Sequence, residues 1–76
     1  MPERTYAEPT VIWRMRHPDG FRAHATLIPG TPASTLSWYV DSEMVRAENF
    51  NEWAMALARA EEIKAAFAQN GWTTEE

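Results

Sequence analysis

Residues 10–16, Thr-Val-Ile-Trp-Arg-Met-Arg, alternate with a period of two. In an extended strand Val11, Trp13 and Met15 point one way, and Thr10, Ile12, Arg14 and Arg16 the other. Residues 21–28 alternate again, with Phe21, Ala23, Ala25 and Leu27 on one face and Arg22, His24, Thr26 and Ile28 on the other. Between the two runs, His17-Pro18-Asp19-Gly20 reads as a tight turn. Pro presets φ at the first corner, Asp suits the second, and Gly accepts positive φ. A three-residue loop, a type I turn closed by a glycine bulge, pairs His17 with Phe21. Met15 then faces Ala23, Trp13 faces Ala25 and Val11 faces Leu27, so that every large inner residue meets a small or aliphatic one. A two-residue loop would set Trp13 opposite His24 and mix the faces, and is rejected on that ground.

Residues 29–34 are a loop by composition. Residues 35–41 alternate, with Leu36, Trp38 and Val40 inside and Thr35, Ser37, Tyr39 and Asp41 outside. Matching faces sets Leu27 opposite Leu36, Ala25 opposite Trp38, His24 opposite Tyr39 and Arg22 opposite Asp41. Residues 43–47 are a candidate for a short fourth strand after a turn at Asp41-Ser42. The period then lengthens to 3.6. Trp53, Ala56, Leu57, Ala60, Ile63 and Phe67 fall on one helical stripe. Two starts are open: Asn49 with Glu52 as a capping box, or Asn51 as cap with Phe50 and Met55 as a hydrophobic staple. Asn70-Gly71 stops the helix and places Trp72 against Phe67. The span of about 19 residues predicts a helix of roughly 28 Å.

These elements predict an α+β fold: a three- to four-stranded antiparallel β-meander packed on one face by a single C-terminal helix. Residues 1–9 read as a loose arm, 10–72 as the domain and 73–76 as a frayed tail. The chain has 76 residues and no cysteine, so the core rests on apolar burial rather than on disulfides. Four Trp, three Phe, two Tyr and four Met supply it, at roughly 1.5–3 kcal/mol per large side chain buried. Only His17 and His24 remain as soft ligands, and neither a metal site nor a cofactor site is expected. No apolar run reaches membrane-span length and no signal peptide opens the chain, so a cytoplasmic protein is expected.

Net charge is −4, unevenly spread. Up to residue 46, five Arg balance five acids; beyond it, Arg59 and Lys64 stand against Glu48, Glu52, Glu61, Glu62, Glu75 and Glu76. This balance disfavours nonspecific nucleic-acid binding. One helix covers one face of the sheet and leaves the other open. That open face is the first candidate surface, through Arg14, Arg16, Arg22, His24 and Tyr39. Arg16 and Arg22 lie directly opposite each other there, and an anionic partner would relieve their repulsion. The back of the helix, with Glu52, Met55, Glu61 and Glu62, is the second. A flank of Ala54, Ala58 and Ala65 would suit a partner or a second copy in a homodimer. His24, Ser37 and Asp41 share the open face, but no nucleophile elbow or enclosed pocket accompanies them, so no catalytic residues are assigned and an enzyme is not expected.

Two resemblances follow from short motifs. Trp13-Arg14-Met15-Arg16-His17-Pro18-Asp19-Gly20 resembles the first hairpin of the arm-binding domains of tyrosine recombinases, which implies a three-stranded sheet laid into DNA by its arginines. Gly20 through Pro29-Gly30, with Asn51-Glu52-Trp53-Ala54 opening a helix, is similar to HicB-type antitoxin domains, which implies a βββα core that neutralises a toxin. In size, acidity and lack of motifs the chain resembles phage or mobile-element inhibitors of host complexes, the anti-CRISPR proteins among them. The leading expectation is a non-catalytic module that occludes a protein partner. The alternatives are nucleic-acid binding through Arg14, Arg16, Arg22 and Tyr39, and an antitoxin-like role.

Overall fold

Alternation along the chain becomes antiparallel pairing between successive strands. The computed structural model describes residues 9–30 and 33–75. In it β1 (Thr10–Arg16), β2 (Arg22–Ile28), β3 (Ser34–Val40) and β4 (Glu43–Phe50) lead into α1 (Trp53–Gln69) and a short β5 (Thr73–Thr74). The strands make one open five-stranded sheet in the order β4-β3-β2-β1-β5. The helix packs on one face of it, an α+β arrangement as the pattern predicts. Residues 1–8 of the predicted arm, 1–9, lie outside the described residues, and no helix among the described residues is long and apolar enough to cross a membrane.

The first turn has the predicted chemistry. Gly20 donates its N–H to His17 O at 2.8 Å, His17 donates to Phe21 O at 2.9 Å, and Gly20 takes φ 99°. That sets Met15 opposite Ala23 and Trp13 opposite Ala25. In the next pair Ala25 faces Trp38, Leu27 faces Leu36 and His24 faces Tyr39. Ala25 therefore separates two buried indoles. Asp41 and Ser42 both take positive φ, 51° and 72°, and turn β3 into β4 as a two-residue loop.

The register departs from strict alternation in β1. An irregularity between Val11 and Trp13 puts Val11 opposite Thr26 rather than Leu27. Val11 thus joins the open face, and Ile12 packs partly against the core. A bulge of this kind re-aims one residue, and here it trades the smaller aliphatic side chain for the larger at the core. Phe21 also leaves the inner row. It precedes β2, is exposed, and lies against the His17 ring at 6.4 Å.

The fourth strand is longer than residues 43–47. It runs to Phe50, with an irregular step at Val45 between the Tyr39–Met44 and Trp38–Arg46 pairs. This extension removes both predicted helix caps. Asn49 lies in the strand opposite Thr35 and accepts a 2.7 Å hydrogen bond from its hydroxyl. The N-cap is Glu52, whose side chain makes no capping hydrogen bond.

The buried stripe of α1 is narrower than its apolar stripe. Ala56, Ala60 and Ile63 are buried and Phe67 packs beside them, whereas Trp53 and Leu57 are 44% and 37% exposed. Leu57 is therefore not part of the core. The reason is that the sheet supplies the bulk. Trp13 and Trp38 rise from β1 and β3, and the helix meets them through Ala56, Ala60 and Ile63, with the Phe67 ring 5.6 Å from that of Trp13. The Trp13 indole N–H reaches the Ala60 carbonyl at 3.0 Å, which satisfies a buried donor. The helix ends as the sequence predicts. Trp72 N–H donates to Phe67 O and Gly71 N–H to Ala68 O, each at 3.2 Å, with Gly71 at φ 94°. This is a Schellman stop, and it brings the Phe67 and Trp72 rings to 5.0 Å edge to face.

Residues 73–76 read from sequence as a frayed tail, but Thr73 and Thr74 pair with Arg16 and Met15 as β5. Glu75 extends the contact by donating its N–H to Arg14 O at 2.8 Å. Two β-branched residues emerge from the helix stop beside the unpaired edge of β1, and that edge gives their backbone groups partners.

Candidate functional site

On the open face the strand registers stack side chains into rows. One row runs Arg14, His24, Tyr39 and Met44 across β1 to β4. The next sets Arg16 against Arg22, with Thr73 of β5 on the far side of Arg16. The structure thus brings together all five residues of the first predicted surface, at the end of the sheet nearest the first turn. A further row, Val11, Thr26, Ser37 and Ala47, is small throughout. Thr26 and Ser37 are buried there, and the row carries no charge.

His24 and Tyr39 form the rigid centre. Their rings stack with centroids 4.6 Å apart and 9° between planes. Such a pair contributes about 0.5–1.5 kcal/mol beyond burial and costs little further ordering on binding. Around it the charges are unbalanced. Asp41 lies beside Arg22, as the register predicts, but its carboxylate accepts from the Arg22 backbone N–H at 3.0 Å rather than from the guanidinium. The Arg22 side chain instead lies 3.8 Å from Glu75, and that pair is loose because Arg22 is mostly exposed. Among the described residues Arg14 and Arg16 have no ion-pair partner. Two depressions flank Arg22. One is lined by Arg16, His17, Phe21 and Thr73, the other by Arg14, His24, Asp41 and Glu75.

Two of the site residues escape a reading of local pattern. Glu75 and Thr73 belong to the predicted frayed tail, yet they supply the counter-ion and one wall. The only sequence signal for them is a pair of β-branched threonines after the helix stop.

His24, Ser37 and Asp41, which the register places on the open face, are each engaged separately. Ser37 is buried opposite Thr26, His24 is stacked on Tyr39, and Asp41 is bound to a backbone amide. No proton relay joins them. Among the described residues no group of three or more His, Asp or Glu side chains is arranged to hold a metal ion.

The second predicted surface is divided rather than assembled. Successive helix residues stand about 100° apart, so Glu52, Met55 and Glu62 fall on the flank toward β4, and Glu61 on the flank toward β5. On the β4 flank Arg59 binds Glu48 through Nε and Glu62 through Nη1, both at 3.0 Å. The hydrogen bond to Glu48, then that to Glu62, raises the Arg59 pKa above its ordinary value. Glu62 is therefore partly neutralised, while Glu61 lies near Lys64, Trp72 and Thr73 around a separate depression.

No family model matches the chain, and no curated protein or solved structure matches it.

Proposed function

We propose that this chain is a non-catalytic binding module, and that the arginine end of its open sheet face grips an acidic stretch of a protein partner. The observation that supports this is the direct opposition of Arg16 and Arg22 across β1 and β2, beside an Arg14 with no acid of its own among the described residues. Like charges set opposite each other weaken a hairpin. A carboxylate seated between them turns that repulsion into two charge-assisted hydrogen bonds. Arginine's planar fork suits this bidentate contact. The stacked His24 and Tyr39 hold the neighbouring wall still, which lowers the ordering cost of binding.

A protein partner fits this face better than a nucleic acid. The arginines occupy one end only, with Asp41 and Glu75 among them, and the rows beyond them, Val11-Thr26-Ser37-Ala47 and Ile28-Thr35-Asn49, carry no charge. A phosphate backbone needs cations spread along its path. Binding would act by occlusion, the mode by which mobile-element inhibitors block host complexes.

The test is an affinity pull-down with mass spectrometry, followed by titration of the recovered partner against two double variants. Arg14→Glu with Arg16→Glu should abolish binding. Glu61→Lys with Glu62→Lys should leave it within about threefold, as expected for charges outside the contact. Equal losses from both pairs would defeat the assignment to this face. Retardation of duplex DNA at low salt, falling steeply as salt rises, would favour the nucleic-acid alternative.

A further inference from the structure

The two edges of the sheet are not equivalent. On one side β5 pairs with the end of β1. On the other, β4 is an eight-residue strand with β3 as its one neighbour. Every second N–H and C=O along its free side lacks a strand partner among the described residues. Residues 43–47 of this strand are all exposed, and Met44 and Val45 are 55% and 56% exposed. With Phe21 they wall a depression at one end of the edge.

Edges of this kind are usually blunted by charge. The charges of β4 have a different property, which is that they are complementary to themselves in one register. Arg46 and Glu48 lie opposite Trp38 and Leu36, so both face the helix side, while Ala47 lies opposite Ser37 on the open side. An antiparallel pair of identical edges is related by a two-fold axis perpendicular to the sheet. Such an axis keeps each residue on its own face. Centred on Arg46, it sets Arg46 against itself. Centred on Glu48, it sets Glu48 against itself. Centred on Ala47, it sets Arg46 opposite Glu48 of the second copy, and Glu48 opposite the second copy's Arg46.

We propose that β4 pairs antiparallel with β4 of a second copy of this chain, with the two-fold axis at Ala47. The Glu48 carboxylate is already ordered for this contact. It is held by Arg46 Nε at 3.2 Å and Arg59 Nε at 3.0 Å, and is itself only 20% exposed. Arg46 of the second copy, itself 3.2 Å from Glu48 of its own chain, then bridges two carboxylates, each of them positioned before the contact forms. The two sheets become one, with both helices on one side and both open faces on the other. The step at Val45 ends regular pairing on each side of the axis, so the ladder is short and the association reversible. This inference is independent of what the open face binds.

The absence of cysteine makes the register directly testable. In Ala47→Cys the introduced thiol lies on the axis directly opposite its copy, where cross-strand Cβ atoms approach to about 4.5 Å, the outer limit of disulfide geometry that a small strand adjustment satisfies. Mild oxidation should convert this variant to a covalent dimer. Met44→Cys is comparably exposed on the same strand but lies off the axis, and should remain monomeric under the same conditions. Sedimentation of the wild type should show a concentration-dependent dimer, which Arg46→Glu weakens by about tenfold by opposing like charges twice. A wild type that stays monomeric at millimolar concentration overturns the proposal. So does equal cross-linking of the two cysteine variants, or an Arg46→Glu variant that is folded by circular dichroism and dimerises as tightly as the wild type.

Discussion

At the end of the sheet nearest the first turn, large residues meet small ones on the helix side, and on the open side large meets large. Ala25 lies between Trp13 and Trp38, and Ala23 lies between Met15 and Val40. Across the same strands, on the other face, His24 lies between Arg14 and Tyr39, and Arg16 meets Arg22. The first arrangement removes side chains from water and lets the helix settle on the indoles through Ala56, Ala60, Ile63 and Phe67. The second cannot be covered by anything so flat. It holds its charges out, stiffened by one aromatic stack. At that end, size complementarity marks the face the helix covers, and its absence marks the face the helix leaves open.

Several substitutions would break or sharpen this contrast. The largest effect is expected from Trp13→Ala, which empties the centre of the covered face and removes the hydrogen bond to Ala60. It should cost about 3–5 kcal/mol in denaturant unfolding. If Tyr39→Ala on the open face costs as much, the contrast fails. Ala25→Leu should overpack the gap between the indoles and cost about 1–3 kcal/mol, while His24→Leu, one residue away on the opposite face, should cost less than about 1.5 kcal/mol. Ser42→Gly should stabilise the domain by about 1 kcal/mol, because Ser42 is held at φ 72° in a turn position that glycine occupies without strain. The smallest effect is expected from Arg16→Ala. Relief of the repulsion with Arg22 offsets the lost cover of the sheet, so the thermal midpoint should change by the equivalent of less than about 0.5 kcal/mol. Affinity for an acidic partner should nevertheless fall by about tenfold or more. A melting point that drops as far as that of Ala25→Leu would make Arg16 part of the scaffold.

Much of the candidate site was legible because period-two patterns and a well-formed turn are local. Pro18, Asp19 and Gly20 set one hairpin register, and from it the opposition of Arg16 and Arg22 follows by counting. The pairing of His24 with Tyr39 needed one more step, the matching of Leu27 to Leu36, and it also holds. Counting failed where the backbone takes an extra residue. The irregularities at Ile12 and Val45 leave no mark in composition, because a bulge is selected by what lies on both sides of the strand. The capping residues were misplaced for a related reason. Asn49 can serve as a helix cap or a strand residue, and pairing with Thr35 decided between them.

The alternating strands, the first turn, the Trp13-Ala25-Trp38 size match and the helix stop at Gly71 are all written in local residue order. Each depends on residues within a few positions of one another or on a repeating period. Long-range packing settles which helix residues are buried, where the C-terminal segment goes and which acid answers Arg22. Leu57 is apolar and correctly spaced, yet it is displaced because Trp13 reaches Ala60 across 47 positions and brings the helix down on its alanines. Glu75 becomes the counter-ion because β5 found the edge of β1, and Asp41 does not because the Arg22 amide already holds it. Those outcomes are competitions between distant groups for the same partner, and a local pattern carries no record of which group wins.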